Sequence, residues 1–257
     1  MKVFSDAQEL GKALAREILD GVKASKAAGK PYLLGCPGGR SLQSTYQAVS
    51  AQAAAEGADL SGVVIVMMDD YVFPEGSSFK HCPADAHYSC RRFGREDIVG
   101  LLNAGLPEEK RIPADALWFP DPANPGAYEA KLRNAGGIDL FLLASGVSDG
   151  HVAFNPPGSA PDSLSRVVEL AETTRDDNMK TFPEFKSLDD VPKHGVTVGV
   201  GTIVGQSRDA VMVIHGAHKA GSLKRLLGYK AYDASWPASL IHLFKNPRIY
   251  ADQKAAS

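Results

Sequence analysis

The residue types best suited to chemistry in this chain gather in short stretches, most of them directly behind an apolar run. The run VVIVMM leads into Asp69 and Asp70. Adjacent carboxylates repel, and the repulsion raises the proton affinity of one of them towards values useful for proton transfer. The same pair also suits a helix cap or a solvated turn, so spacing alone leaves both readings open. A second run, from Ile138 to Leu143, leads to Asp149, Gly150 and His151. A carboxylate beside an imidazole fixes its tautomer and makes it a better acid or base. Behind PYLLGC lies PGGRS, in which Gly38, Gly39, Arg40 and Ser41 stand between an expected strand and a helix start. Exposed backbone N–H groups and the helix dipole favour an anion there, phosphate above all, although a glycine pair is as often a plain turn. The loop matches neither the P-loop nor the G-x-G-x-x-G spacing of dinucleotide sites. Lys219, behind AVMVIHG, and Arg175 are the candidate cations. The commoner fate of either residue type is a surface charge.

These stretches need a scaffold that brings them together. Leu10, Leu14, Ile18 and Val22 recur every fourth residue behind Ser5 and Asp6, which predicts an amphipathic helix capped by one of the two. PYLLGC, VVIVMM, ALWF around Trp118, IDLFLLAS from Ile138 and AVMVIHG from Ala210 are apolar without polar alternation. Such runs suit strands buried on both faces. Alternated with helical stretches, such as that from about Ser41 to Ala55, they predict a three-layer, Rossmann-like α/β sheet, mostly parallel, with helices on both faces. In sheets of this kind the ligand site lies outside the carboxyl ends of the strands, where the polar stretches above would converge. No linker, low-complexity tract or repeat divides the chain, so residues 1–257 read as one domain.

Composition narrows the choice of partner. The 257 residues are 44% hydrophobic and 23% charged, with a formal net charge of −2. That balance lacks the basic surplus that holds nucleic acid or an anionic membrane, so an anion must be met by local groups. The longest apolar runs are too short to span a bilayer, and the charged, helically patterned first residues are unlike a secretory signal. A cytoplasmic location is therefore expected. Cys36, Cys82 and Cys90 form no C-x-x-C pair, which fits reduced thiols, and the seven histidines show no metal-ligand spacing, so no metal site is expected.

Taken together, the motifs resemble the glucosamine-6-phosphate deaminase/isomerase family. MMDDYVF with HYSCRRF downstream is similar to the family's M-D-E-Y…S-Y pattern, and SDGHVAFNPPGS to its D-G-H-I-A-F-N-E-P motif. ELAETTRDDN, GVTVGVGTI and HGAHKAGSL follow in family order, so the likeness runs from about Leu33 to Leu227. It implies the fold shared by these deaminases and 6-phosphogluconolactonases, and a sugar-phosphate substrate. It further implies that His151, supported by Asp149, assists ring opening, that Asp69 moves a proton from C2 to C1, and that Gly38, Gly39, Arg40, Ser41, Asp70, Arg175 and Lys219 form the substrate and phosphate site. No metal or organic cofactor is implied. Relatives range from single subunits to hexamers, which leaves a homo-oligomer open.

The chain departs from the pattern in several places. Pro156 stands where the family has a Glu grouped with the Asp and His, and proline can neither donate nor accept a proton. Arg40 and Leu42 are out of pattern in the glycine loop, SGVSDGH lacks the second glycine of the family's G-x-G-x-D-G-H, with Val147 in its place, which is expected to narrow the site, and Ala160 after Ser159 speaks against an allosteric phosphosugar site. The first reading is a deaminase or related aldose–ketose isomerase. A sugar-phosphate lactonase, or a sugar-phosphate sensor without catalysis, are the alternatives.

Overall fold

The computed structural model describes all 257 residues. In chain order its strands are β1 (Lys2–Phe4), β2 (Tyr32–Cys36), β3 (Val63–Met67), β4 (Asp69–Glu75), β5 (Ser78–His81), β6 (Leu117–Trp118), β7 (Leu140–Ala144), β8 (Arg166–Glu169), β9 (His194–Thr197), β10 (Ala210–Ile214) and β11 (Ile249–Asp252). The helices are α1 (Ala7–Ala27), α2 (Gln43–Glu56), α3 (Cys90–Phe93), α4 (Gly126–Asn134), α5 (Glu172–Thr181), α6 (Val200–Gln206), α7 (Ala220–Gly228) and α8 (Gln253–Ala256).

Seven strands form one sheet in the order β1-β11-β10-β7-β2-β3-β6, with every neighbouring pair parallel. The expected α/β architecture is therefore present. Every residue of β2, β3 and β10 is buried, because helices cover both faces of the sheet. One face packs against α1 and α2 in a core that includes Leu10, Leu14, Leu34, Tyr46 and Ile65. The other face holds Leu33, Phe141, Val198, Ile203, Met212 and Leu226. Asp6 caps α1, its carboxylate accepting from the N–H groups of Gln8 and Glu9 at 2.9 Å, and Leu10, Leu14, Ile18 and Val22 are buried as their spacing requires.

Two features differ from the sequence reading. The ALWF run yields a strand of only two residues, Leu117–Trp118, at the sheet edge beside β3. More consequentially, DDY does not end a strand at a loop. The chain passes from β3 through Met68 straight into β4, which belongs to a second, antiparallel sheet ordered β5-β4-β9-β8. Asp69 thus lies where the two sheets meet, paired with Thr197 across β9.

Candidate active site

A cavity of about 540 Å³ opens at the carboxyl ends of β2, β3, β7 and β10, the expected position for a parallel sheet. Gly38, Gly39, Arg40, Ser41, Asp69, His151 and Lys219 line it. Tyr71 and Phe154 wall it on the side of the antiparallel sheet, where their ring centroids lie 4.9 Å apart.

The anion end is built from the loop after β2 and the loop after β10. Lys219 is buried, and its Nζ donates to Ser41 Oγ at 3.1 Å and to the Ser145 carbonyl at 2.9 Å. His215 Nε2 lies 2.8 Å from the Ser41 carbonyl, which ties the same two loops a second time. Burial pulls the Lys219 ammonium down to about 8, with Asp177 acting in the opposite direction. An ammonium whose only nearby acceptors are a hydroxyl and a carbonyl is poised to take an anionic ligand.

Asp69, just beyond the carboxyl end of β3, lines the same cavity. Its burial pushes the carboxyl up to about 7; the Asp70 charge adds to the rise, while a hydrogen bond from Cys90 and the charge of His151 oppose it. A carboxyl that takes and releases a proton near neutrality is suited to moving a carbon-bound proton. Asp70 does not share that position. Successive strand residues point to opposite faces, and Asp70 turns into the protein, where it meets His81 Nδ1 at 2.8 Å, Arg91 Nε at 3.1 Å and the Cys90 N–H at 2.9 Å. It does not line the cavity, so the expected substrate contact is replaced by a buried brace.

Asp149 Oδ1 lies 2.7 Å from His151 Nδ1 and accepts from the His151 N–H at 3.0 Å. Its other oxygen accepts from Thr173 Oγ1 at 2.6 Å and Thr174 Oγ1 at 2.9 Å. Burial disfavours the Asp149 charge, but the hydrogen bond and charge of His151, with Thr173, outweigh it and hold the carboxyl well below the usual range. With Nδ1 committed to Asp149, Nε2 is the ring nitrogen left for a ligand. The loop can close this way only with glycines: Gly150 adopts φ +69°, and a Cβ on Gly146 would meet His151 Nδ1 at 2.2 Å. Ala153, another lining residue, is held at φ +53°, a strained conformation of the kind that clusters at functional sites.

Arg175 is a further correction. Its guanidinium donates to the Leu188 carbonyl and, at 3.1 Å, to the Val191 carbonyl; it is buried there and does not line the cavity. It fastens the segment that follows α5. At the position of the missing glycine Val147 lines the cavity, whereas Ser148 lies outside the lining and its hydroxyl donates to Asp177 Oδ1 at 2.7 Å. Pro156 also stays out of the lining, its carbonyl accepting from Ser159 Oγ at 2.8 Å.

The polar lining residues that the sequence reading did not single out include Cys90, Asp177, Asn178, Lys180, Thr181, His215 and His218. For Asp177 a signal existed, because it follows Thr173 by four residues and Thr174 by three, which puts all three on one face of a helix. The α5 face that binds Asp149 therefore had to bring Asp177 along.

A family model described as glucosamine-6-phosphate isomerases/6-phosphogluconolactonase matches residues 5–249. The chain is 34% identical to the glucosamine-6-phosphate deaminase of Shouchella clausii (strain KSM-K16), with 87% of this chain and 84% of that one aligned. To the glucosamine-6-phosphate deaminase of Rhodococcus jostii (strain RHA1) it is 35% identical, over 88% of this chain and 82% of the relative. Among solved structures, a monomeric glucosamine-6-phosphate deaminase superposes with a TM-score of 0.81 at 26% identity, covering 100% of this chain and 99% of the other. The 6-phosphogluconolactonase of Trypanosoma brucei shares the fold, with a TM-score of 0.68 at 21% identity over 99% of this chain and 96% of that one. The order of the motifs, the all-parallel sheet and a match spanning nearly the whole chain agree: this protein belongs to the family of glucosamine-6-phosphate isomerases and 6-phosphogluconolactonases.

Proposed function

We propose that the protein is a single-domain glucosamine-6-phosphate deaminase, converting an amino-sugar phosphate to fructose 6-phosphate and ammonia. The observation that carries this reading is the placing of Asp69, its carboxyl at about 7, in one cavity with the His151–Asp149 pair and the Lys219–Ser41 cradle. A lactone hydrolase needs an activated water but no carbon acid chemistry, and a buried carboxyl tuned to neutrality is what carbon acid chemistry demands.

In this reading the phosphate rests on Gly38, Gly39, Ser41 and Lys219, with Arg40 at the rim. His151, its Nδ1 held by Asp149, takes the proton of the anomeric hydroxyl at Nε2 and delivers one to the ring oxygen, which opens the pyranose. Asp69 removes the C2 proton as O1 takes one up, which gives an enolamine, and returns it at C1 as the nitrogen gives one proton up. The resulting 2-imino sugar takes up water at the C=N carbon and loses its nitrogen as ammonia, leaving the ketose phosphate. Every proton taken is returned, so no redox partner enters. Asp69, Asp149 and His151 carry the chemistry, and Asp70 and Arg175 act only on the scaffold.

The test follows ammonia and fructose 6-phosphate from glucosamine 6-phosphate, with hydrolysis of 6-phosphogluconolactone as counter-assay. Ammonia release that disappears in Asp69→Asn is the expected result. Lactone hydrolysis without ammonia release would transfer the chain to the lactonase branch, and tight binding of both sugars without turnover would make it a sensor.

A further inference from the structure

Asp177 has no role in the steps above, yet it is built into the cavity. One carboxylate oxygen of Asp177, one of Asp149 and a ring nitrogen of His151 all lie within 4.8 Å of one another. Asp177 accepts from the N–H groups of Val147 at 3.2 Å and Ser148 at 3.1 Å, and from the Ser148 hydroxyl at 2.7 Å. These three donors fix the carboxylate over the loop that carries His151. The same helix face supplies Thr173 and Thr174 to Asp149. The imidazole is thereby bracketed by two anchored carboxylates, one on its own loop and one on α5.

We propose that Asp177 is a positioning residue for His151, holding the imidazole for proton exchange with the sugar ring and balancing the positive charge it carries in that step. The proposal rests on the deaminase reading. Its physical basis is that an imidazole shuttling a proton passes through an imidazolium, which nearby carboxylates stabilise. Other charged or titratable groups that line the same cavity include Arg40 on the glycine loop, Asp69 on β4, Lys180 on α5, and His215, His218 and Lys219 behind β10. Lys180 Nζ lies 3.6 Å from Asp177 but is mostly exposed, so it offsets little of the Asp177 charge. Pro156 provides no ionisable group on the other side of the loop.

Asp177→Asn separates charge from scaffold. The amide oxygen still accepts from Val147 and Ser148, and the amide N–H₂ can donate to the Ser148 hydroxyl, so the brace survives without the charge. The expected result is a kcat for ammonia release lowered roughly tenfold to a hundredfold, with KM and the affinity for inorganic phosphate, both read below about pH 7 where Lys219 stays charged without Asp177, within about twofold of the original. Asp177→Glu should recover most of the loss. Full kcat in Asp177→Asn would overturn the proposal, as would equal losses in both variants accompanied by weaker phosphate binding, since that is the behaviour of a plain brace. A second readout does not depend on turnover: the ring ¹⁵N resonances of His151, assigned with His151→Asn, should move in Asp177→Asn and stay near their original place in Asp177→Glu. Unmoved resonances in Asp177→Asn overturn the proposal even for a chain that releases no ammonia, whereas loss of ammonia release in the unaltered protein bears on the deaminase reading alone.

Discussion

The Cys90 thiol donates to Asp69 Oδ1 across 3.5 Å, so a weak neutral donor, and not a cation, is the direct partner of the carboxylate proposed as base. Burial, followed by the charges of Asp69 and Asp70, pushes the Cys90 thiol well up, so it stays protonated and keeps donating. The bond favours the ionised form of Asp69. Removing it in Cys90→Ala should therefore raise the Asp69 pKa, moving the acidic limb of the kcat/KM profile to higher pH by up to about one unit. Cys90→Ser, with a stronger donor, should move it the other way. A limb that stays in place in both variants would mean that the thiol does not act on the base.

The pH profile itself follows from two groups. Asp69 must be ionised to accept the C2 proton, so activity rises with pH through about 7. Lys219 must be protonated to hold the phosphate, so activity falls as pH rises through about 8. A narrow bell between those values is expected for kcat/KM, with the alkaline limb displaced upward in kcat because bound phosphate holds the ammonium charged. Activity that is flat from well below 7 to well above 8 would contradict both assignments.

Lys219→Met should keep the apolar stem and remove the charge. A charge-assisted bond of this kind contributes about 1.5–3 kcal/mol, so phosphate affinity should drop by roughly one to two orders of magnitude. Calorimetric titration with inorganic phosphate reads this directly. Arg40→Gln, at the exposed rim, should cost less.

Asp70→Ala tests the division of labour between the two aspartates. Its carboxylate is fully buried and holds His81, Arg91 and the Cys90 N–H, and removing one partner of a buried charged network costs about 3–5 kcal/mol. A large fall in melting temperature is expected, with the remaining folded fraction still binding phosphate. Unchanged stability with lost phosphate binding would return Asp70 to the substrate site.

The central strands β2, β3, β7 and β10 of the large sheet were readable because they are almost wholly buried and announce themselves as unbroken apolar runs, whereas β1, three residues long and largely exposed, and β11 at that end of the sheet were not. The small sheet was not. Its outer strands β5 and β8 are short and only partly buried, and β4 pairs with β9 across more than a hundred residues of chain. That hidden pairing is also what separates Asp69 from Asp70. An aspartate pair read as sequence cannot say which carboxylate faces the ligand, because the pleat of β4 and its register against Thr197 decide it. His151 and Lys219 were legible because each follows a parallel strand and so emerges at the carboxyl edge. Arg175 was misread for the opposite reason: on a helix, one residue of rotation turns a side chain from the cavity to the carbonyls of Leu188 and Val191.

The passage from β3 to β4 through Met68 alone has a consequence for how this chain tolerates length changes. The proposed base and the anion cradle belong to different sheets, and one residue of backbone sets their separation. An insertion or deletion between Met67 and Asp70 would shift β4 by a pleat and exchange the two aspartates, exposing Asp70 to the cavity and burying Asp69. The hairpin tip at Gly76 and Ser77, at the far end of the same strand, carries no such constraint and can lengthen freely. Libraries built on this scaffold should accordingly accept new loops at the tip and reject even single-residue changes at the joint.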